Sequence, residues 1–177
     1  DVLSRLVYGI RATVFLSLLT MAMTSALGAC VGLVSGFFRN RIDDVLMRIC
    51  DVMMSFPSEV MILAIVGMTG PGLENVVIAN VVAKWPWYAR MVRSIVRQYS
   101  DKDYIRFAKV AGGSSIRIMM RHLLPGTAGE LFVLTTLDTG SVILMISALS
   151  FLGLGVQPPT PEWGMMLNEA KEVMTLY

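Results

Sequence analysis

The chain has 177 residues, of which 55% are hydrophobic and only 16% charged, with a net charge of +2 and a mean hydropathy of +0.64. Soluble domains carry about 25% charged residues, so this deficit argues against a soluble globule and for several membrane spans rather than one anchor. Two cysteines, Cys30 and Cys50, sit in or beside apolar segments, which makes a disulfide framework a poor reading and small buried hydrophobes a better one.

Residues 1–11 mix Leu, Val and Tyr with Ser and Arg and predict a short interfacial helix. Residues 12–38 then carry no charge over 27 positions, with Arg11 and Arg39 at the two ends. At about 1.5 Å per residue such a helix crosses a hydrocarbon core of roughly 30 Å with tilt to spare. Inside lipid the backbone must satisfy its own polar groups, and a helix does so. Gly28, Gly32 and Gly36 are spaced four apart on one face of this span, where small residues let helix backbones approach closely.

Residues 39–41 make a polar turn, and from Ile42 to Met68 the pattern predicts one long helix kinked at Pro57. Glu59, just past the kink, reads either as a cap of the broken helix or as a residue facing a path. The run Thr69, Gly70, Pro71, Gly72 is a strong breaker. A third segment covers residues 74–99, with Arg90, Arg93 and Arg97 on one helical face. A last span is expected over residues 126–155, then prolines at 158, 159 and 161, then an acidic amphipathic tail over residues 162–177. Asp138, a carboxylate inside the last span, is expected either to line a translocation path or to pair with Lys84 or an arginine. Four spans result, and the chain reads as an internal fragment because it lacks an initiator Met and stops within an apparent helix.

Eight of the fifteen Lys and Arg residues fall between Arg90 and Arg121. Excess Lys and Arg mark the cytoplasmic side, so the loop over residues 99–125 is expected there. Within it, Asp103 or a neighbour can cap a helix through Tyr104, Phe107, Ala108 and Ala111. Gly112 ends that helix at no steric cost. Ser114 or Ser115 can cap a second helix holding Ile116, Met119, Met120 and Leu123, with Pro125 closing the unit. Two short helices with apolar faces make a knob able to enter a partner's groove, although a loop lying on anionic lipid fits the same charges.

This segment resembles the Glu-Ala-Ala loop of ABC importer permeases. Arg106, Phe107 and Ala108 occupy the Glu-Ala-Ala positions, Gly112 the glycine, His122 the isoleucine, and Leu124-Pro125 the closing pair. The spacing matches throughout; Arg106, Phe107 and His122 depart from the usual residues. His122 is the form common in the branch that serves dipeptides, oligopeptides and nickel, and otherwise reads as packing or hydrogen-bonding locally. Residues 1–9, Phe56-Pro57, residues 88–93, residues 150–155, Pro158-Pro159 and residues 162–166 are similar to segments of that branch's C-type permeases.

The resemblance implies an all-α polytopic membrane protein, the type I ABC importer transmembrane fold, spanning residues 1–177 as a fragment with about four of six helices. It implies a coupling loop over residues 101–125, in which Tyr104, Arg106, Phe107, Ala108, Lys109, Gly112, Leu124 and Pro125 engage ATPase subunits. It also implies two such ATPases, a second permease subunit in a heterodimer, an external solute-binding protein and a location in the bacterial inner membrane. The stretch around Trp85 to Ser94 looks closer to permeases for nickel or metal-chelates than to those for di- or oligopeptides. No phosphate-binding Gly-x-x-x-x-Gly-Lys-Ser/Thr loop occurs, so ATP and Mg are expected on partners and catalysis is not expected here. No nucleic-acid partner, cofactor or metal site is expected, and the fourteen methionines read as flexible packing. A gradient-driven transporter or channel remains the rival class, since broken helices and Asp138 suit it; a passive membrane scaffold is the third.

Overall fold

The computed structural model describes residues 2–174, with side chains through Lys171. The expected start of the approach helix at Asp1 and the end of the expected acidic tail, including the Glu172 side chain, lie outside the described residues. Everything regular among the described residues is helical. Helix α1 covers Val2–Phe38, α2 Arg41–Met54, α3 Ser58–Thr69 and α4 Leu73–Ser100; α5 covers Asp103–Val110, α6 Ser115–Ile118, α7 Leu124–Phe151 and α8 Trp163–Met174.

Three boundaries differ from expectation. No break separates an interfacial helix from the first span: α1 runs 37 residues, about 55 Å, because nothing between Val2 and Phe38 stops a helix. It ends where Arg39 turns left-handed at φ 46, and the Asn40 side chain caps α2 by accepting from the Ile42 N–H at 3.0 Å. The expected kinked helix is two helices, α2 and α3, bent by 80°. Pro57 offers no N–H and steers Phe56 away from helical geometry, so the register is lost rather than bent. Pro57 holds the N-cap position of α3 with no side-chain bond, and Glu59, in the first turn, accepts from Ser58 Oγ at 3.0 Å.

Two helical stretches, Val2–Phe38 and Ser115–Phe151, are long and apolar enough to span a bilayer, and α2 with α3 makes a third if counted as one broken span. The fourth expected span, α4, has the length at 28 residues, but Asn75, Asn80, Lys84 and its arginines dilute its apolar content.

The chain divides into two units. The first comprises Asp1–Met23, Pro57–Ala83 and Leu137–Tyr177. Here Glu162 corrects the acidic-tail expectation, because it is fully buried. Its Oε1 accepts from Thr13 Oγ1 at 3.3 Å and Ser147 Oγ at 3.0 Å, and its Oε2 from the Met165 N–H at 3.0 Å. One carboxyl thus joins α1, α7 and the start of α8. Trp163 adds an indole N–H bond to the Leu6 carbonyl at 3.3 Å, and Arg5 pairs with Glu169 at 2.7 Å. Glu162→Ala would leave those donors buried and unmade, a loss of about 2 kcal/mol. The expected result is a Tm lowered by roughly 4–8 °C in detergent, with Glu162→Gln nearer wild type, read by thermal unfolding.

The second unit comprises Thr24–Phe56 and Lys84–Thr136. Its organising contact is the glycine face of α1 on α4. A Cβ at Gly28 would collide with the Tyr88 Cβ, one at Gly32 would lie 2.6 Å from the Ala89 carbonyl oxygen, and one at Gly36 would lie 2.8 Å from Val96 Cγ1. The close approach expected from the glycine spacing is present. Cys50 is fully buried beside Met47 and Ala89, as a small hydrophobe should be, whereas Cys30 is exposed on another face of α1.

Candidate functional site

Helix α5 begins at Asp103, with Lys102 as N-cap and no side-chain cap bond. Asp103 therefore does not cap; it sits in the first turn, where a carboxylate favours the helix dipole. At the other end the Ala111 N–H donates to the Phe107 carbonyl at 2.8 Å and the Gly113 N–H to the Ala108 carbonyl at 3.0 Å. Gly112 takes φ 80, the left-handed turn expected of it. Ser114 caps α6, its Oγ accepting from the Arg117 N–H at 3.4 Å. Pro125, expected to close the unit, does not. A π-helical turn over Met119–Leu123 carries α6 directly into α7, and Pro125 lies just past that turn, where the looser bonding of a π-bulge accommodates its missing N–H. The loop's second helix is thus the near end of the last long helix.

The faces of this pair divide cleanly. Ile105, Ile118, Met119 and Leu123 are buried in one core with Ala29 and Leu33 of α1 and Val92 and Val96 of α4; Ala108 and Leu124 pack against it. Pointing away are Phe107 at 73% exposure, Val110 at 87% and Ile116 at 70%. Tyr104 and Met120 are also exposed, as are Arg106, Lys109, Arg117, Arg121 and Pro125. His122 is exposed too, so of the two expectations for it, packing or a local hydrogen bond, packing does not hold. Lys109 is partly engaged within its own subunit, its Nζ lying 4.7 Å from the Phe37 ring centre. The result is a firmly seated base with a basic-rimmed apolar tip.

Beneath the base lies a charge lattice that sequence reasoning missed. Asp43, in the first turn of α2, is only 3% exposed. Its Oδ1 accepts from Arg93 Nε at 2.6 Å and its Oδ2 from Arg93 Nη2 at 2.8 Å. Arg97 Nη2 and Ser35 Oγ also donate to this carboxylate. Arg90 pairs with Asp51 further along the same two helices. Arg39 donates to the Arg97 carbonyl at 2.7 Å and pairs with Asp101 at 2.9 Å. That hydrogen bond from Arg39 is the main reason the Asp101 carboxyl lies below the usual carboxylate range. A signal for this lattice exists in the sequence: three arginines on one face of α4 need anions, and Asp43, Asp44 and Asp51 are the acids within reach.

The remaining expected residues, Asp138 and Glu59, belong to the other unit. Asp138 is half-buried and accepts from Ser141 Oγ on its own helix. Among the described residues no three His, Cys, Asp or Glu side chains converge as a metal cage.

Comparison with known proteins identifies the family. Residues 28–177 match the family described as binding-protein-dependent transport system inner membrane component. The chain is 41% identical over 174 residues to the metal-staphylopine import system permease protein CntC of Staphylococcus aureus, covering 98% of this chain and 60% of that one. It is 41% identical over 172 residues to the di/tripeptide transport system permease protein DppC of Pseudomonas aeruginosa, covering 97% and 57%. It is 37% identical over 172 residues to the nickel transport system permease protein NikC of Escherichia coli, covering 97% and 62%. The chain thus spans about 60% of the length of the first of these relatives. The resemblance to ABC importer permeases of the peptide and nickel branch, and the all-α type I importer fold it implied, are borne out. By its matched residues and its helical membrane architecture, this chain belongs to the family of inner-membrane components of binding-protein-dependent transport systems.

Proposed function

We propose that the chain is the membrane-spanning permease part of an ATP-driven importer, and that residues 101–125 are its cytoplasmic coupling loop. The observation that carries this reading is the exposed apolar tip, Phe107, Val110 and Ile116, on a base buried against α1 and α4. A rigid knob transmits force; an apolar tip rimmed by Arg106, Lys109 and Arg117 fits a groove with an acidic edge. ATPase subunits supply that groove and bind ATP with Mg at sites of their own, so this chain has no catalytic step of its own. The gradient-driven alternative leaves this tip without a purpose.

A second permease subunit and an external binding protein complete the proposed assembly, in a multi-pass arrangement with the loop inside the cell. The solute favoured is nickel or a metal-chelate, supported by similarity to the staphylopine and nickel permeases. The di/tripeptide relative is as similar as the first of these, so a short peptide is the second reading. Asp138 and Glu59 are proposed to face the path.

The test is uptake into proteoliposomes holding the full complex and its binding protein, with labelled metal-chelate and labelled dipeptide offered separately. ATP-dependent uptake of the chelate alone is expected; uptake without ATP would contradict the proposal, and uptake of peptide alone would favour the second reading. In the same assay Phe107→Ala, which removes the aromatic anchor, should lower uptake by about tenfold at unchanged membrane abundance.

A further inference from the structure

We infer that Asp43 is a positioning residue for coupling: it clamps the α1–α2 corner to α4 so that the seat of the coupling loop moves as one body. This rests on the coupling role proposed above and goes beyond it, since Asp43 lies outside residues 101–125.

The geometry is specific. The Asp43 carboxylate is reached from three directions, by Ser35 of α1 and by Arg93 and Arg97 of α4. Arg93 and Arg97 lie one turn apart and flank Val96, which is fully buried in the same core as Ile105 and Leu123 of the coupling unit. Arg39, at the turn between α1 and α2, reaches the last turn of α4 through the Arg97 carbonyl and Asp101. Both long helices on which α5 and α6 sit, α1 and α4, are therefore bound to Asp43 directly. Apolar packing alone lets helices slide, because dispersion and burial have little directional preference. A bidentate arginine–carboxylate pair fixes both distance and orientation. Two guanidinium groups on one shielded carboxylate resist the slip that would dissipate a push arriving at the tip.

The charge, not the shape, is what the clamp needs. Asp43→Asn keeps the volume and can still accept from one arginine, but it loses the charge-assisted bonds. In the full complex in proteoliposomes, Asp43→Asn is expected to keep ATPase subunits co-purifying and basal ATP hydrolysis within about twofold. The solute imported per ATP hydrolysed should fall about tenfold, the scale of one lost charged hydrogen bond. Asp43→Glu should recover most of the ratio. Arg97→Gln, a milder change at a half-exposed residue, should lower the ratio less, and the double variant should be no worse than Asp43→Asn alone. If Asp43→Asn fails to assemble, Arg97→Gln alone carries the test, and an unchanged ratio there overturns the inference. A wild-type ratio in Asp43→Asn, or additive losses in the double variant, overturns it too. Gly112→Val serves as the control: lost coupling there with intact coupling in Asp43→Asn sinks the clamp alone, whereas intact coupling in both sinks the coupling-loop reading itself.

Discussion

Gly112→Val is expected to abolish ATP-driven uptake while the protein reaches the membrane in normal amount. At φ 80 a β-branched residue is strained by about 1–3 kcal/mol. No atom lies within 4 Å of the position a Cβ would take, so the penalty is in the backbone and not in crowding. The cheapest relief is to move the turn, which changes the exit direction of α5 relative to α6. Phe107 and Val110 would then no longer share a surface with Ile116. Gly67, in α3, also has open space around it and no positive φ; Gly67→Ala should leave uptake unchanged. Measured uptake at matched membrane abundance separates the two, with a loss of about tenfold or more expected for Gly112→Val alone.

Gly32→Leu is expected to act earlier, by removing the folded protein. A Cβ there would lie 2.6 Å from the Ala89 carbonyl oxygen, 2.7 Å from Val92 Cβ and 2.9 Å from the Arg93 nitrogen. Two of these are backbone atoms of α4, which cannot swing aside as a flexible side-chain end does. α1 and α4 must separate, and the core holding Ala29, Leu33, Val92 and Val96 opens with them. Overpacking costs typically 1–3 kcal/mol, and here, against backbone, about 3 kcal/mol or more. Asp43 of α2 holds partners on both helices, Ser35 on α1 and Arg93 and Arg97 on α4, and could not keep both sets once the helices part. Size-exclusion chromatography of detergent extracts should show little monodisperse protein for Gly32→Leu and much more for Gly32→Ala, whose single methyl asks for a smaller displacement.

Features set by local chemistry are legible in the amino-acid order alone. The glycine spacing at 28, 32 and 36 announces a close helix contact, Gly112 a helix end, and Ser114 a cap, because each depends on a few neighbouring residues. The features that escape a sequence reading share a different cause. Pro125 has the character of a stop, but the π-helical turn ahead of it lets the helix continue through it. Pro57 has the character of a kink, yet the restriction it places on Phe56 adds enough to break the helix by 80°. Asp43 and Glu162 are hidden as hubs because key partners are remote in the chain: Arg93 and Arg97 lie 50 and 54 positions from Asp43, and Thr13 lies 149 from Glu162. Glu162 in particular resembles the other acids of its tail, and only the three donors folded around it set it apart. Sequence periodicity tells which face a charge is on; it does not tell what meets that face. Cys30 carries the same lesson, expected to pack and found exposed.

The most direct measurement is a cysteine crosslink from the tip of the coupling unit in the intact transporter. With Cys30 and Cys50 replaced, Val110→Cys and Ile116→Cys should react with membrane-impermeant thiol reagent only from the cytoplasmic side. Each should also form an adduct with the ATPase subunit, while Leu144→Cys, exposed on α7, forms none with it. Labelling of the two tip positions from outside the cell, or their failure to crosslink to any ATPase while Leu144→Cys does, would contradict the proposed role of residues 101–125.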